Sequence, residues 1–207
     1  LGGDLPFNPP FEMDNRNKRS LAIDLKHTDG KALFHRLAKD ADVVVENFRS
    51  SVKYRLGVDY NTLKAINPGL VYASISGFGQ DGPDSERPGV DQIVQGMSGL
   101  MSITGEPGQG PMRVGIAISD TSAGMFLGQG ILLALLHRER TGEGQWVHTS
   151  LLEAMMSKLD FQGARYTMNG EEPTQQGNDH PTQVPMGMFN AKDGHVNIAA
   201  FRGQMWQ

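Results

Sequence analysis

Apolar residues at Leu33, Phe34, Leu37, Ala38 and Ala41 follow Asp29-Gly30 at the spacing of one helical face, which predicts an amphipathic helix. Ahead of it, Leu21-Ala22-Ile23-Asp24-Leu25 reads as a short strand. Behind it, Val43-Val44-Val45 is a continuous β-branched run, as expected of a strand buried on both faces. A second helix is predicted through Thr62–Ile66 and stops at Asn67-Pro68-Gly69, and Leu70–Ile75 is the next strand. Strand, helix, strand, helix, strand at these intervals predicts a parallel α/β sheet with helical crossovers.

The later pattern is less regular. Residues 1–18 carry Gly, Pro and Asn without periodicity and are expected at the surface. Residues 76–89 form a polar loop, and Asp91–Met101 reads as a helix. A Gly/Pro stretch at 105–111 and an apolar run at Val114–Ile118 lead into a long helix over Asp120–Arg138. Gln145–Thr149 reads as a strand and Ser150–Met168 as one helix. A loop rich in Gly, Asn, Pro and Gln spans 169–186. Met186–Phe189 and His195–Ala200, joined through Asn190–Gly194, read as a hairpin that opens a second unit. No internal repeat interrupts this order.

Composition narrows the function classes. The chain has 207 residues, enough for one substantial domain or one and a half. Nineteen Lys and Arg against 23 Asp and Glu leave a net charge of −4, so a broadly basic nucleic-acid footprint is absent. No unbroken apolar run approaches the roughly 20 residues of a membrane span; Gly130–Leu136 halts at His137-Arg138-Glu139-Arg140. The absence of cysteine excludes disulfides, thiolate metal sites and thiol nucleophiles from these residues, and it suits a reducing, cytoplasmic compartment or an organelle matrix. The six histidines are scattered, with no pair at i, i+4 to hold a metal. The chain opens at Leu1 without a Met and closes inside an amphipathic stretch, and so reads as a piece of a longer protein.

Four features carry candidate chemistry. Gly77-Phe78-Gly79-Gln80-Asp81-Gly82 matches G-x-G-x-x-G after a predicted strand, but Pro83 and Pro88 follow where a dinucleotide fold needs a helix. Close backbone approach to some other ligand is the better reading. Basic residues cluster near strand ends at Lys18-Arg19 and at Arg49, Lys53 and Arg55, where a phosphate could sit or where a solvated turn needs no function. The long polar loop Gly177–Thr182 holds Asn178 and His180. Ser119-Asp120 joins an apolar run to the long helix. Either residue can cap it, or the Asp120 carboxylate, held ionised by the helix dipole, serves as nucleophile or base.

Several blocks follow in order: Asn15-Arg16-Asn17-Lys18-Arg19-Ser20 with Asp24-Leu25-Lys26, Val45-Glu46-Asn47-Phe48-Arg49 with Arg55-Leu56-Gly57, Ala73–Gly79, Ser119-Asp120 with Gly124-Met125, Gly142–Gln145 and Lys192-Asp193-Gly194. Together they resemble the family III CoA-transferases (the CaiB/BaiF family, which includes formyl-CoA and carnitine CoA-transferases). The resemblance implies a Rossmann-like large domain with a parallel sheet, incomplete at its N-terminus, followed by the start of a small α+β domain. The implied division is 1–168 for the large domain, 169–186 for a linker or active-site loop, and 187–207 for the beginning of the small domain. It further implies an interlocked-ring homodimer, and charge and hydropathy point to no nucleic-acid or membrane partner.

By the same resemblance Asp120 is the catalytic nucleophile, and Asn47, Phe48, Arg55 and Leu56 hold CoA. Gly77, Gly79, Asp91, Asn178 and His180 are candidates for the loop or wall of the site. Coenzyme A enters as part of the acyl-CoA substrate, and no tightly bound cofactor is implied. Two alternatives accompany this reading. Acyl-CoA racemases of the superfamily use a histidine and a glutamate, whose positions fall at Val90 and near Arg202 here, so both bases are missing. A CoA-ester binding module without turnover is the other. Arg113, Arg165 or Arg202 could meet the second carboxylate of a dicarboxylic substrate.

Overall fold

The computed structural model describes residues 9–200 and 202–206. Its centre is a three-stranded parallel sheet in the order β1 (Val43–Glu46), β2 (Val71–Ser76), β3 (Trp146–Ser150). Val43 pairs with Val71, and Tyr72 with Trp146. The predicted parallel α/β class therefore holds.

Strand alternation on β2 separates two cores. Tyr72 faces α2 (Thr28–Lys39) and α4 (Tyr60–Ile66), where Ala38, Leu63 and Leu70 are buried with it. Ile75 faces the opposite layer, in which Val94 of α5 (Asp91–Met97), Ala123 of α7 (Ile118–Thr141) and Leu151, Ala154 and Met155 of α8 (Leu151–Lys158) are buried. Helices on both faces let a parallel strand bury every side chain, which is why β2 carries the polar Ser74 only where partners surround it. Polar side chains define helix starts: Asp59 accepts from Thr62 N–H and Ser150 from Glu153 N–H, satisfying amide donors that a helix leaves free.

α7 is long and apolar enough, by length and composition, to cross a membrane, although polar residues such as Gln129 interrupt its apolar run. It packs against β2, β3, α5 and α8 as the principal helix on its face of the sheet.

The structure corrects several sequence expectations. Leu21–Leu25 is not a strand: among the described residues no strand lies beside it to take its backbone hydrogen bonds, and Leu21 is exposed. Of the segment expected to be irregular, Pro9–Asp14 forms a short helix, α1, while residues 1–8 lie outside the described residues. β1 is not buried on both faces, because Val45 is 58% exposed. A helix missed in the sequence, α3 (Ser50–Leu56), directly follows β1. Its short, polar sequence shows no periodic apolar face.

The expected helix from Asp91 divides at Gly99, whose φ of 87° suits glycine, into α5 and α6 (Leu100–Ile103). The expected helix over 150–168 also divides, into α8 and α9 (Asp160–Asn169), with Asp160 at a φ of 48°. The hairpin forms as expected: β4 (Met186–Ala191) pairs antiparallel with β5 (Gly194–Ala199) in a sheet of its own. A 3-10 turn follows at Gly203–Trp206.

Candidate active site

The carboxyl ends of the three parallel strands open onto a cavity of about 340 Å³. Asn47 after β1, Ile75 and Ser76 at the end of β2, and Leu151 after β3 line it, together with Gly77, Gly89, Val90 and Asp120. This is where an open parallel sheet places ligands, because loops leaving successive strands diverge there. A second cavity of about 430 Å³ shares Asn47 and Ile75 with it and reaches Leu25, Phe34, Glu46, Phe48 and Tyr72.

Asp120 lies in the first turn of α7. Neither Ser119 nor Asp120 caps that helix with its side chain, contrary to the capping option. The cap comes from elsewhere: one oxygen of Asp91 accepts Ser119 N–H at 2.9 Å and Ser119 Oγ–H at 2.7 Å. The other Asp91 oxygen accepts from Gln95 Nε2 at 2.7 Å and lies 3.7 Å from the Arg113 guanidinium. Burial by itself would raise the Asp91 pKa, but these donors and the Arg113 charge outweigh it and hold the carboxyl below its ordinary range.

Asp120 is thereby left free. Among the described residues no side chain hydrogen-bonds its carboxyl. Partial burial and then the neighbouring Asp91 charge push its pKa above the ordinary carboxylate value. The dipole of α7 acts in the opposite sense at this first turn and favours the ionised form.

The glycine-rich turn supplies the wall. Gly77 and Gly89 pass so closely that a Cβ on Gly77 would stand 2.5 Å from Gly89 Cα. The required close approach is thus between two backbone segments. Ser76 Oγ accepts Gly79 N–H at 3.1 Å and donates to Gly79 C=O at 2.9 Å, which folds the turn on itself. Gly79 is buried behind the wall and does not line the cavity.

The other candidates divide. Asn47 lines both cavities and Phe48 the second one. Arg55 is exposed and Leu56 half-buried on α3, and neither lines either cavity. Lys53, grouped with the basic residues at the strand ends, is 1% exposed and bonded internally, so it is not a solvated phosphate donor. Asn178 and His180 line a separate cavity of about 460 Å³ beside the hairpin, which shares no residue with that of Asp120. His180 stacks on Phe161 of α9 at 5.5 Å between ring centroids, and its Nδ1 accepts from Thr182 N–H and Gln183 N–H. Among the described residues no group of three or more His, Cys, Asp or Glu could hold a metal ion.

Sequence reasoning did not find the Asp91–Ser119 connection. Asp91 and Gln95 stand at i, i+4 on α5, a spacing that brings the two side chains together. That spacing was the available signal for a buried polar network.

Fold and site together define an α/β protein with a carboxylate, unpaired among the described residues, at the carboxyl ends of its parallel strands. The sequence model described as CoA-transferase family III matches residues 5–207, and the chain belongs to that family. It is 43% identical to the succinate–glutarate CoA-transferase of Agrobacterium fabrum over 189 residues, which is 91% of this chain and 47% of that protein. Identity to the succinyl-CoA:mesaconate CoA-transferase of Haloarcula hispanica is 41% over 224 residues, 100% of this chain and 57% of that protein. The crystal structure of a CaiB/BaiF family protein from Brucella suis superposes with a TM-score of 0.83 at 42% identity, covering 90% of this chain and 49% of that one. The chain spans about half the length of the curated relatives it matches.

Proposed function

We propose that the protein carrying this chain moves CoA from an acyl-CoA thioester to a free carboxylic acid, with Asp120 as nucleophile. The observation that carries this reading is the Asp120 carboxyl, without a hydrogen-bond partner among the described residues, lining a cavity that Asn47 shares with the adjoining one.

In the proposed sequence an Asp120 oxygen attacks the thioester carbonyl. The C–S bond breaks, leaving an aspartyl–acyl anhydride and CoA thiolate. The thiolate attacks the aspartyl carbonyl, expels the first carboxylate and forms an aspartyl thioester. An incoming carboxylate then reverses both steps, and Asp120 returns unchanged. Every bond formed is matched by one broken, and no outside oxidant or proton donor is needed. Asp91, occupied by Ser119, Gln95 and Arg113, stays out of the covalent steps.

Asn47 and Phe48 receive the CoA moiety in this reading, and Arg55 and Leu56 would contact it from the exposed side of α3. Short dicarboxylic acids are the favoured substrates, since relatives are named for succinate, glutarate and mesaconate. Arg113, beside Asp91, is the arginine we assign to a second carboxylate. It reaches Asp91 only at 3.7 Å, whereas Arg165 is held at 2.8 Å by Glu171. A racemase lacks its base here, because Val90 occupies the cavity wall.

We further assign residues 1–168 to a large domain, 169–186 to a linker and 187–207 to the start of a small domain, within an interlocked homodimer. The Asp120→Ala variant of the full-length protein is expected to lose exchange of labelled acid into acyl-CoA while retaining CoA binding. Mass spectrometry of the wild type after incubation with succinyl-CoA should find an adduct on Asp120. Retained turnover in the variant would refute the assignment, and a wild type that binds without forming an adduct would favour a binding module.

A further inference from the structure

Lys53 is more deeply buried than any other charged residue described, at 1% exposure. Its Nζ donates to Glu46 Oε1 at 3.1 Å, to Ser74 Oγ at 3.4 Å and to Gln80 Oε1, and the Trp146 ring lies 4.7 Å away. One ammonium group on α3 thus joins the end of β1, the middle of β2 and the loop that walls the Asp120 cavity. The second Glu46 oxygen accepts Phe48 N–H at 2.7 Å. Between those two residues stands Asn47, which together with Ile75 lines both cavities. Gln80 turns its oxygen to Lys53, and among the described residues its buried Nε2 has no hydrogen-bond partner.

Stability alone does not account for this arrangement, since apolar residues of similar volume often replace a buried ion pair without loss. Geometry does account for it, because the pair joins segments whose relative placement defines the site. We propose that Lys53 is a positioning residue for the CoA ester: through Glu46 it holds the Asn47–Phe48 turn, and through Gln80 it holds the facing loop. The proposal rests on the acyl-CoA reading above.

Exchange of labelled succinate into succinyl-CoA by the full-length protein tests it. In Lys53→Met, KM for succinyl-CoA is expected to rise about tenfold, while kcat per titrated active site stays within about twofold and KM for succinate is unchanged. Lys53→Met leaves Glu46 buried without its cation, so Lys53→Met/Glu46→Gln is the companion. It removes both charges, keeps an acceptor for Phe48 N–H, and should show the same rise in KM with a thermal midpoint near that of the wild type. If the folded variants keep the wild-type KM and lose only thermal stability or the fraction of active sites, Lys53 is structural and the proposal is overturned. A wild type that neither exchanges nor binds succinyl-CoA fails the transferase reading itself, a result visible before any variant is compared.

Discussion

Two carboxylates near the start of one helix are driven to opposite protonation behaviour. Asp91 is surrounded by donors and a guanidinium, and its pKa falls; Asp120 has burial and a neighbouring negative charge, and its pKa rises. A nucleophilic Asp120 must be ionised, so the rate should fall with acid through a pKa above the ordinary carboxylate value. Asp91→Asn removes the charge that opposes ionisation of Asp120 and should move the acidic limb of the kcat/KM profile to lower pH. A limb that stays in place would show that Asp91 does not govern Asp120. Stability follows the opposite signs. The lowered Asp91 contributes stability that is present above its unfolded pKa and is lost as pH falls through its folded value. The raised Asp120 contributes stability at low pH that is lost as pH rises through its folded value.

At the scale of elements, the site is an assembly of strand ends and the turns that leave them. Glu86, in the loop after β2, accepts from Ser50 Oγ, Ser51 Oγ and Ser51 N–H at the start of α3, and these bonds hold its pKa below the ordinary range. Two turns that diverge from neighbouring strands are thereby tied together. The crossing of Gly77 and Gly89 is the tightest element of this wall. Gly77→Ala would drive a methyl group into backbone that has no flexible end to move. We expect a loss of about 1–3 kcal/mol, the range found for overpacking, together with slower labelling of Asp120 by succinyl-CoA. Urea denaturation and mass spectrometry measure the two effects, and a variant unchanged in both would show that the wall yields.

For the whole molecule, the outer face of α7 matters most. Met125, Leu132, Leu133 and Leu136 are 65%, 68%, 68% and 52% exposed, although they belong to the principal helix packed on the sheet. Exposed apolar residues along one helix are a candidate surface for cover by further protein. The proposed interlocked dimer would cover such faces, and its subunits could separate only by partial unfolding. Sedimentation of the full-length protein at micromolar concentration should give a dimer with no monomer in equilibrium. A compact monomer would overturn the proposed assembly.

Much of this protein was decided by local sequence. The amphipathic spacing behind Asp29, the apolar strands at residues 43 and 70, and the hairpin after residue 186 depend on chain-neighbour periodicity, which does not need the rest of the molecule. The blocks around Asn47 and Asp120 carried the family and the candidate nucleophile. Tertiary structure alone decided which groups those residues meet. Among the described residues it left Leu21–Leu25 without a strand partner, and it opened one face of β1 and divided the helix predicted over 150–168. It also brought Asp91, 28 residues away, to Ser119, and drew Lys53 from an expected solvated turn into a buried pair with Glu46. The physical reason is the same in each case. Periodicity reports the average environment of a helix face or strand face, whereas a hydrogen bond or ion pair depends on one atom arriving within about 3 Å of another. That distance is set by how whole elements pack.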